Sequence, residues 1–447
     1  MFDKSGQDNR TLIGHNERKG GIQMDEYGWM KAHLAEWVAI ETVKDLKTAS
    51  LAYPFGQGVG KGLEWIEALA KKDGFQVHNQ SGYYTFVDYG EGEDYIGIFG
   101  HGDVVAPWED QGKKPFEMQE VGSQWIGRGV MDDKGPVLAA YLAMKRIKEK
   151  EIKLPVKVRL FIGGDEESGF QCIEQYCQHE KMPMRGFVVD AKFPVIYGEM
   201  GIGHWQIEIE DLGTRAYCQQ MGPQNVVAAQ IRLENKGEYV CFKGRGGHAS
   251  KRQEVENPLV KLGQWFARNE NEPLLAELLD YDDKARWIGQ LSFENEWGKL
   301  SVEPTQIKLE AGRLTLGYDV RFPEAFKKDY IDQQVDKLKK QYNVKIVDKY
   351  KIIKKAKIVD KNIPWVQRLW SVYKYHTQDF ETPMRISSGG TYASALENVV
   401  VFGATFPGPS NHFVHGQGEW VSYKDLLKAT DIYEDAILKL ATMTDKE

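Results

Sequence analysis

Tyr95-Ile96-Gly97-Ile98-Phe99-Gly100-His101-Gly102-Asp103-Val104-Val105 is the stretch from which the fold is read. An apolar run climbs to a glycine, and a histidine and an aspartate follow two residues apart. Residues two apart in an extended chain point to the same side, so His101 and Asp103 can face one site at the end of a buried strand. Imidazole is a common ligand for borderline metals, and a nearby carboxylate commonly orients such a ring. Taken alone, such a pair is more often a strand end with a solvated aspartate. Its downstream company changes that reading.

Around this stretch, strand-like runs at Phe75 to Val87, Val156 to Ile162 and Phe187 to Val189 alternate with helical spacing. The helical segments are Asp25 to Leu51, Gly62 to Lys72, Lys134 to Lys150 and Phe170 to His179. Such alternation predicts an α/β layer with a mostly parallel sheet flanked by helices. After Pro194 the texture changes. Strands are expected at His204 to Asp211, Val226 to Leu233, Glu238 to Lys243, Ile307 to Leu309 and Leu314 to Phe322, with helices at Asn257 to Arg268, Leu274 to Leu279 and Ala325 to Gln341. From about Ile363 the α/β texture returns: a helix to His376, Gly389-Gly390-Thr391 leading into a helix, a strand Val399 to Phe402 and a closing helix Tyr423 to Leu440. The division is therefore a flexible N-terminal extension (1–24), an α/β domain in two parts (25–195 and 356–447), and an inserted α+β domain (196–355).

A chain of 447 residues is long for one compact core, which agrees with two domains. It is 42% hydrophobic and 28% charged, with a net charge of −7 that argues against nucleic acid as a partner. Lys and Arg gather between Lys327 and Lys361 but alternate with Ile, Val and Tyr, as on a solvated helix and strand face. Four cysteines, Cys172, Cys177, Cys218 and Cys241, with no Cys-x-x-Cys, form no disulfide scaffold and fit a reduced, cytoplasmic compartment. Residues 1–23 lack the apolar core of a signal peptide, and no run of about 18 apolar residues predicts a membrane span.

Further acids follow strands. Asp132-Asp133 sits in the Gly-rich turn Gly127 to Pro136, where either could cap the next helix. Asp165-Glu166-Glu167 follows a buried-looking strand, near a sheet edge where clefts form. Adjacent side chains in an extended segment point apart, so Glu166 and Glu167 are expected to do different jobs. Asp190 ends a third strand, and His412 and His415 lie in a C-terminal loop. His101, Asp132, Glu167, Asp190 and one C-terminal His make a ligand set suited to zinc, manganese or cobalt. If Asp132 bridges two ions, each ion gains three protein ligands and keeps an open position. Two such ions, about 3.5–4 Å apart, can hold a hydroxide and polarise a carbonyl. Glu166, beside a ligand but aimed elsewhere, is then free to carry protons.

These motifs resemble the di-metal aminopeptidase-like family, which includes aminoacylases, succinyl-diaminopimelate desuccinylases, glutamate carboxypeptidases and PepV-type dipeptidases. The look is closest to the PepV type, through Pro54-Phe55-Gly56, Gly389-Gly390-Thr391-Tyr392-Ala393 and Val320-Arg321-Phe322-Pro323. The resemblance covers nearly the whole chain after Met24. It implies two divalent ions, zinc foremost with manganese or cobalt as alternatives, bridged by Asp132 and held by His101, Glu167, Asp190 and a last histidine. His415 and Glu419 match the family's His-x-x-x-Glu, so His415 rather than His412 is implied as that ligand. Glu166 is implied as general base and Asp103 as the residue steadying the His101 ring. The insert resembles the family's lid: His248, in Gly244-Arg245-Gly246-Gly247-His248-Ala249-Ser250, would donate to a developing oxyanion. Arg321 would grip a substrate carboxylate, with Asn225, Gly389 and Gly390 assisting.

Three departures leave the metal site intact but touch substrate preference: Ala106 precedes Pro107, Ser394 follows Tyr392-Ala393, and Ala228 stands at a usual proline. The implied activity is hydrolysis of the amide bond of dipeptides or similar small substrates with a free carboxylate. A deacylase of N-acyl amino acids is the alternative, and a non-catalytic peptide-binding protein a further one. The long lid implies a monomer rather than a homodimer.

Overall fold

A computed structural model describes residues 25–107, 114–249, 255–270, 272–279, 300–408 and 412–444. The expected N-terminal extension, 1–24, lies outside the described residues. The chain builds two large sheets. The first runs in the order Gln76–Gln80, Tyr84–Tyr89, Lys157–Gly163, Tyr95–His101, Arg185–Val188, Val399–Val401, Ile196–Glu199, Lys357–Ile358, and Arg385–Ser387 joins it beside Ile196–Glu199. The four strands Lys157–Gly163, Tyr95–His101, Arg185–Val188 and Val399–Val401 are mutually parallel. Both flanks turn antiparallel, so the sheet is mixed and the parallel reading describes its centre.

The central strands are buried on both faces, which is why they read as continuous apolar runs. Ile96, Ile98, Leu160, Ile162, Phe187 and Val400 pack into one core with the helices Glu26–Val38, Lys134–Glu149, Pro364–Thr377 and Tyr423–Ala441. Their neighbours Tyr95, Phe99, Phe161, Val188 and Val401 pack into a second core with Val59, Tyr176 and Tyr392. The period-2 alternation thus feeds two layers at once. Gly100 is required where the next helix comes close: a Cβ there would lie 2.5 Å from both Asp133 Oδ2 and Val137 Cγ2.

The second sheet is antiparallel, in the order Glu238–Lys243, Gln230–Asn235, Tyr217–Gln220, Ser301–Glu310, Arg313–Phe322, Gly201–Ile209, Ile346–Lys354. Gly201–Ile209 alternates buried and half-buried residues along its length, as a sheet covered on one face does. Leu259, Leu262 and Phe266 of Pro258–Asn269, and Ile331, Val335 and Leu338 of Asp329–Tyr342, supply apolar helix stripes to a separate core with Trp205 and Tyr318.

Three elements differ from expectation. The first helix ends at Val38, not Leu51, because the β-branched Thr42 and Val43 turn extended: Thr42 O accepts from Val104 N–H (3.1 Å) and Val43 bridges Val104. The single strand read from Val226 to Leu233 splits, with Val226–Val227 pairing Gly247–His248 and Gln230–Asn235 pairing the large sheet. Gly389-Gly390-Thr391 leads only into a short 3₁₀ turn, Tyr392–Ala395, capped by the Thr391 side chain.

Candidate metal centre and active site

Every central strand of the parallel group ends beside the same cavity, where clefts of open α/β sheets form. His101 closes one strand, Asp165-Glu166-Glu167 follow another, Asp190 lies two residues past a third, and the loop with His415 follows the fourth. Asp132 precedes the helix Lys134–Glu149, and the peptide to Asp133 is cis. The cavity measures about 460 Å³ and is lined by Asp132, Glu166, Glu167, Asp190, His415 and the Arg385–Thr391 segment.

Asp132 offers one carboxylate oxygen to each of two imidazoles. Its Oδ1 is 3.0 Å from His101 Nε2, and its Oδ2 is 2.9 Å from His415 Nε2. Asp190 Oδ2 lies 3.7 Å from His101 Nε2, and Glu167 Oε2 lies 2.9 Å from His415 Nε2. By these contacts His101 and Asp190 lie on one side of Asp132 and His415 and Glu167 on the other. Ligand atoms of His101, Asp132 and Glu167 lie within 4.8 Å of one another, as do those of His101, Glu166 and Asp190. His412, by contrast, is turned back: its Nδ1 is 3.0 Å from Trp420 O, and its ring packs on Trp420. His415 holds a left-handed backbone with φ of 62°, uncommon for a non-glycine residue and typical of functional loops.

A layer of hydrogen bonds aims these groups. His101 Nδ1 meets Asp103 O at 2.9 Å, which leaves Nε2 for the cluster. The Asp103 carboxylate lies 3.4 Å from the same ring and also accepts Glu166 N–H and Glu167 N–H, both at 3.1 Å. It thus holds the acidic turn as well as the histidine, a double duty that sequence reading misses. Asp133 Oδ2 accepts His101 N–H at 3.2 Å. Glu419, read from sequence only as a marker for His415, is 2% exposed. Its Oε1 accepts the N–H groups of Gly129, Met131 and Asp132, and its Oε2 accepts Arg128 Nη1 at 2.7 Å. The His-x-x-x-Glu spacing was the one signal for it.

Charge shows what the cluster is suited to hold. Burial would raise Asp132, but hydrogen bonds from His101 and His415 hold it well below the carboxylate range. Burial pushes Glu167 up to about 7, with the Asp132 charge adding to it, and the same two causes lift Asp190. Burial lowers His415, yet hydrogen bonds to Asp132 and Glu167 outweigh it and lift the ring to about 11. Glu166 is raised by burial, partly opposed by Lys354, and its buried Oε1 has no hydrogen-bond partner among the described residues. Several carboxylates are crowded out of water with too little positive charge among them. Oxygen and imidazole donors in that state fit divalent cations.

The residues expected from the insert are placed differently. Arg321 is 3% exposed; its Nε and Nη2 bind Asp319 at 2.7 and 2.9 Å, and its Nη1 binds Ser388 O at 3.0 Å. In this arrangement its fork is taken up by protein, and it braces the wall segment that carries Ser388. Asn225 and His248 are brought to each other (Nδ2 to Nε2, 3.4 Å) by the Val226–Val227 and Gly247–His248 ribbon, and neither lines the cavity. Gly389 and Gly390 do line it. Lys354, unremarked in the sequence, crosses from the second sheet to Gly390 O (2.8 Å), stands 3.8 Å from Glu166 Oε1 and lies over the Phe170 ring. Its stem covers Gly390, where a Cβ would come 2.9 Å from Lys354 Cδ.

A mixed sheet with acids and histidines gathered at its strand ends, next to a second sheet that closes on the cavity rim, is the build of a metallopeptidase. Residues 97–439 match Peptidase family M20/M25/M40, and the chain belongs to that metal-dependent hydrolase family. It is 30% identical to "Putative dipeptidase YtjP" of Bacillus subtilis (strain 168), over 91% of this chain and 96% of that one. Human carnosine dipeptidase 1 shares the fold with a TM-score of 0.57 at 15% identity, over 93% of this chain and 99% of that one. So does the Bacillus subtilis YXEP protein, described as a dinuclear metal binding peptidase, at 0.51 and 12%, over 92% and 100%. No helix among the described residues is long and apolar enough to cross a membrane.

Proposed function

We propose that the chain is a di-metal dipeptidase acting on small peptides with a free carboxylate. The observation that carries this reading is the split of the Asp132 carboxylate between two imidazoles, with a Glu166 oxygen that has no hydrogen-bond partner among the described residues in the same cavity. His101, Asp132 and Asp190 would hold one ion, and Asp132, Glu167 and His415 the other. Zinc fits this donor set, as do manganese and cobalt. Such ions supply Lewis-acid polarisation of the scissile carbonyl and activation of the attacking water. Glu166 takes the proton of that water and returns it to the leaving amine; burial, which raises its pKa, suits it to holding that proton in between. Asp103 keeps His101 in the tautomer that presents Nε2, and it fixes the backbone of the Glu166-Glu167 turn. His248, paired with Asn225 outside the cavity here, is assigned to the oxyanion in a more closed arrangement of the insert, and Asn225 to assisting Arg321 at the substrate carboxylate.

The M20 match and the dipeptidase name of the Bacillus relative support peptides as the substrate class. The test is to strip the protein with chelator, add back zinc, manganese or cobalt singly, and assay a dipeptide library beside N-acetylated amino acids. Turnover of free dipeptides restored by metal is the expected result. Turnover of the N-acetyl compounds alone would replace the reading with a deacylase, and activity that survives metal removal would end it.

A further inference from the structure

We propose that Lys354 is a positioning residue that keeps Glu166 a proton carrier and out of the metal-ligand set, a role that rests on the di-metal reading above. The acids by themselves leave that choice open. Ligand atoms of His101, Glu166 and Asp190 lie within 4.8 Å of one another, the same limit that holds for His101, Asp132 and Glu167. The Glu166 N–H is pinned on Asp103 Oδ1 at 3.1 Å, so the main chain is set and the side chain decides whether the carboxylate coordinates or stays free. Among the described residues, Lys354 is the one cation in ion-pair contact with that carboxylate, Nζ to Oε1 at 3.8 Å. This distance holds the oxygen by charge but is too long for a hydrogen bond, so its lone pairs stay open to a proton. An ion bound to the same carboxylate would stand close to the ammonium and be repelled by it.

The local fold aims the cation. Lys354 ends Ile346–Lys354, and the ladder with Gly201–Ile209 shifts register there: Ile202 faces Lys354 while Gly203 faces Ile352. The extra residue, Ile353, makes a bulge, which re-aims the side chain beside it. The re-aimed stem runs over Gly390, and the ammonium donates to Gly390 O at 2.8 Å. Its Nζ also lies 3.4 Å from the centre of the Phe170 ring. Phe170 closes the turn that carries Glu166: its N–H reaches back to Asp165 O at 2.8 Å, with a left-handed φ of 62°. Carbonyl and ring face thus fix the cation from two sides. An ammonium has three N–H donors, so the bond to Gly390 O leaves charge and donors to spare for the carboxylate. Bracing Gly390 O alone would need only a neutral donor.

The experiment loads the protein with cobalt, whose visible absorption follows the number of its ligands, and adds steady-state kinetics on a dipeptide. The proteins are wild type, Lys354→Gln, Lys354→Arg, Glu166→Gln and the double variant Lys354→Gln/Glu166→Gln. Lys354→Gln keeps a donor for Gly390 O and removes the charge. Its spectrum is expected to move toward higher coordination, and kcat to fall roughly 10- to 100-fold with KM nearly unchanged. Lys354→Arg keeps the charge and the ring contact, so it restores the spectrum and part of kcat. In the Glu166→Gln background the Lys354 change leaves the spectrum unmoved, because the residue it acts through is gone. A wild-type spectrum or a wild-type kcat in Lys354→Gln overturns the proposal. So does a spectral shift that persists in the double variant, which would make Lys354 a brace of the Gly390 wall only. The spectra need no turnover: a shift abolished in the double variant supports the proposal even where no dipeptide is cleaved, a result that sinks only the dipeptidase reading. A wild type that takes up no cobalt ends the di-metal reading and this proposal with it.

Discussion

Removing the Glu419 carboxylate should loosen the proposed metal centre without replacing any proposed ligand. Glu419 accepts three main-chain N–H groups, those of Gly129, Met131 and Asp132 at 2.9–3.1 Å, and pairs with buried Arg128 at 2.7 Å. In Glu419→Gln the amide oxygen can keep the N–H groups, but its NH₂ then faces the guanidinium. Breaking a buried pair from one side costs about 3–5 kcal/mol, because the remaining charge stays out of water. The Arg128 bond to Gly416 O at 3.0 Å places the figure toward the lower end. Glu419→Ala also strands the three N–H groups at about 1–3 kcal/mol each, so it should be the worse of the two. Because Asp132 N–H is one of those groups, the proposed bridging residue loses its backbone anchor, and metal affinity should fall about 10- to 100-fold. Urea unfolding of the metal-free proteins reads the first quantity, and chelator competition with cobalt or zinc reads the second. A Glu419→Gln protein within about 1 kcal/mol of wild type, with unchanged metal affinity, would refute the argument that this carboxylate organises the Asp132 turn.

Replacing Glu166 with Gln should lower kcat by about 10²- to 10⁴-fold while bound metal, measured by elemental analysis, stays at two per chain; lost metal would mean that Glu166 is a ligand instead. His248→Ala should reduce kcat by about 10²- to 10³-fold with the unfolding midpoint unmoved, and an unchanged kcat would remove the insert from the chemistry. Gly100→Ala forces a Cβ to 2.5 Å from Asp133 Oδ2 and Val137 Cγ2, and should cost about 1–3 kcal/mol in thermal or urea unfolding. Hydrogen bonds from Thr382 and Tyr373 lower the Asp379 carboxyl from 3.8 to about 2. A depressed carboxylate stabilises the fold above its unfolded pKa and loses that contribution as pH falls through the folded one. Acid titration of Asp379→Asn should therefore lack the part of the stability loss that wild type shows between about pH 4 and 2.

Much of the frame was legible because short-range patterning wrote it. The run from Tyr95 to His101 is buried along its whole length, and the closing helix begins at Tyr423 as its spacing predicts. The helix from Lys134 and the strand Glu238–Lys243 likewise stand where periodicity puts them. The candidate ligands were legible for a related reason: His101, Glu167 and Asp190 follow strands of the same sheet, so acids and histidines at those strand ends are already neighbours, whereas Asp132 follows Gln124–Ile126 of a separate three-stranded sheet and is brought in by the fold. Local patterning failed where long-range contact overrode it. Thr42 and Val43 left the helix to meet Val104, 61 residues away by chain position. The Val226 to Leu233 run was divided between two pairing partners.

By itself the amino-acid order determined the layered α/β frame, the inserted second sheet and the ligand-type residues at the strand ends, since periodicity and strand-end position are properties of neighbours along the chain. Only the tertiary structure decided which side chains remain available for chemistry. Arg321 stands out in sequence by its motif, but only the structure shows its fork held by Asp319, two residues before it on its own strand, and by Ser388 O. The His-x-x-x-Glu pattern already favoured His415 over His412; the structure adds the reason, since Trp420 O engages the His412 ring while Asp132 and Glu167 receive that of His415. Hydrogen-bond partners and exposure are set by what the fold brings alongside, and no local pattern encodes them.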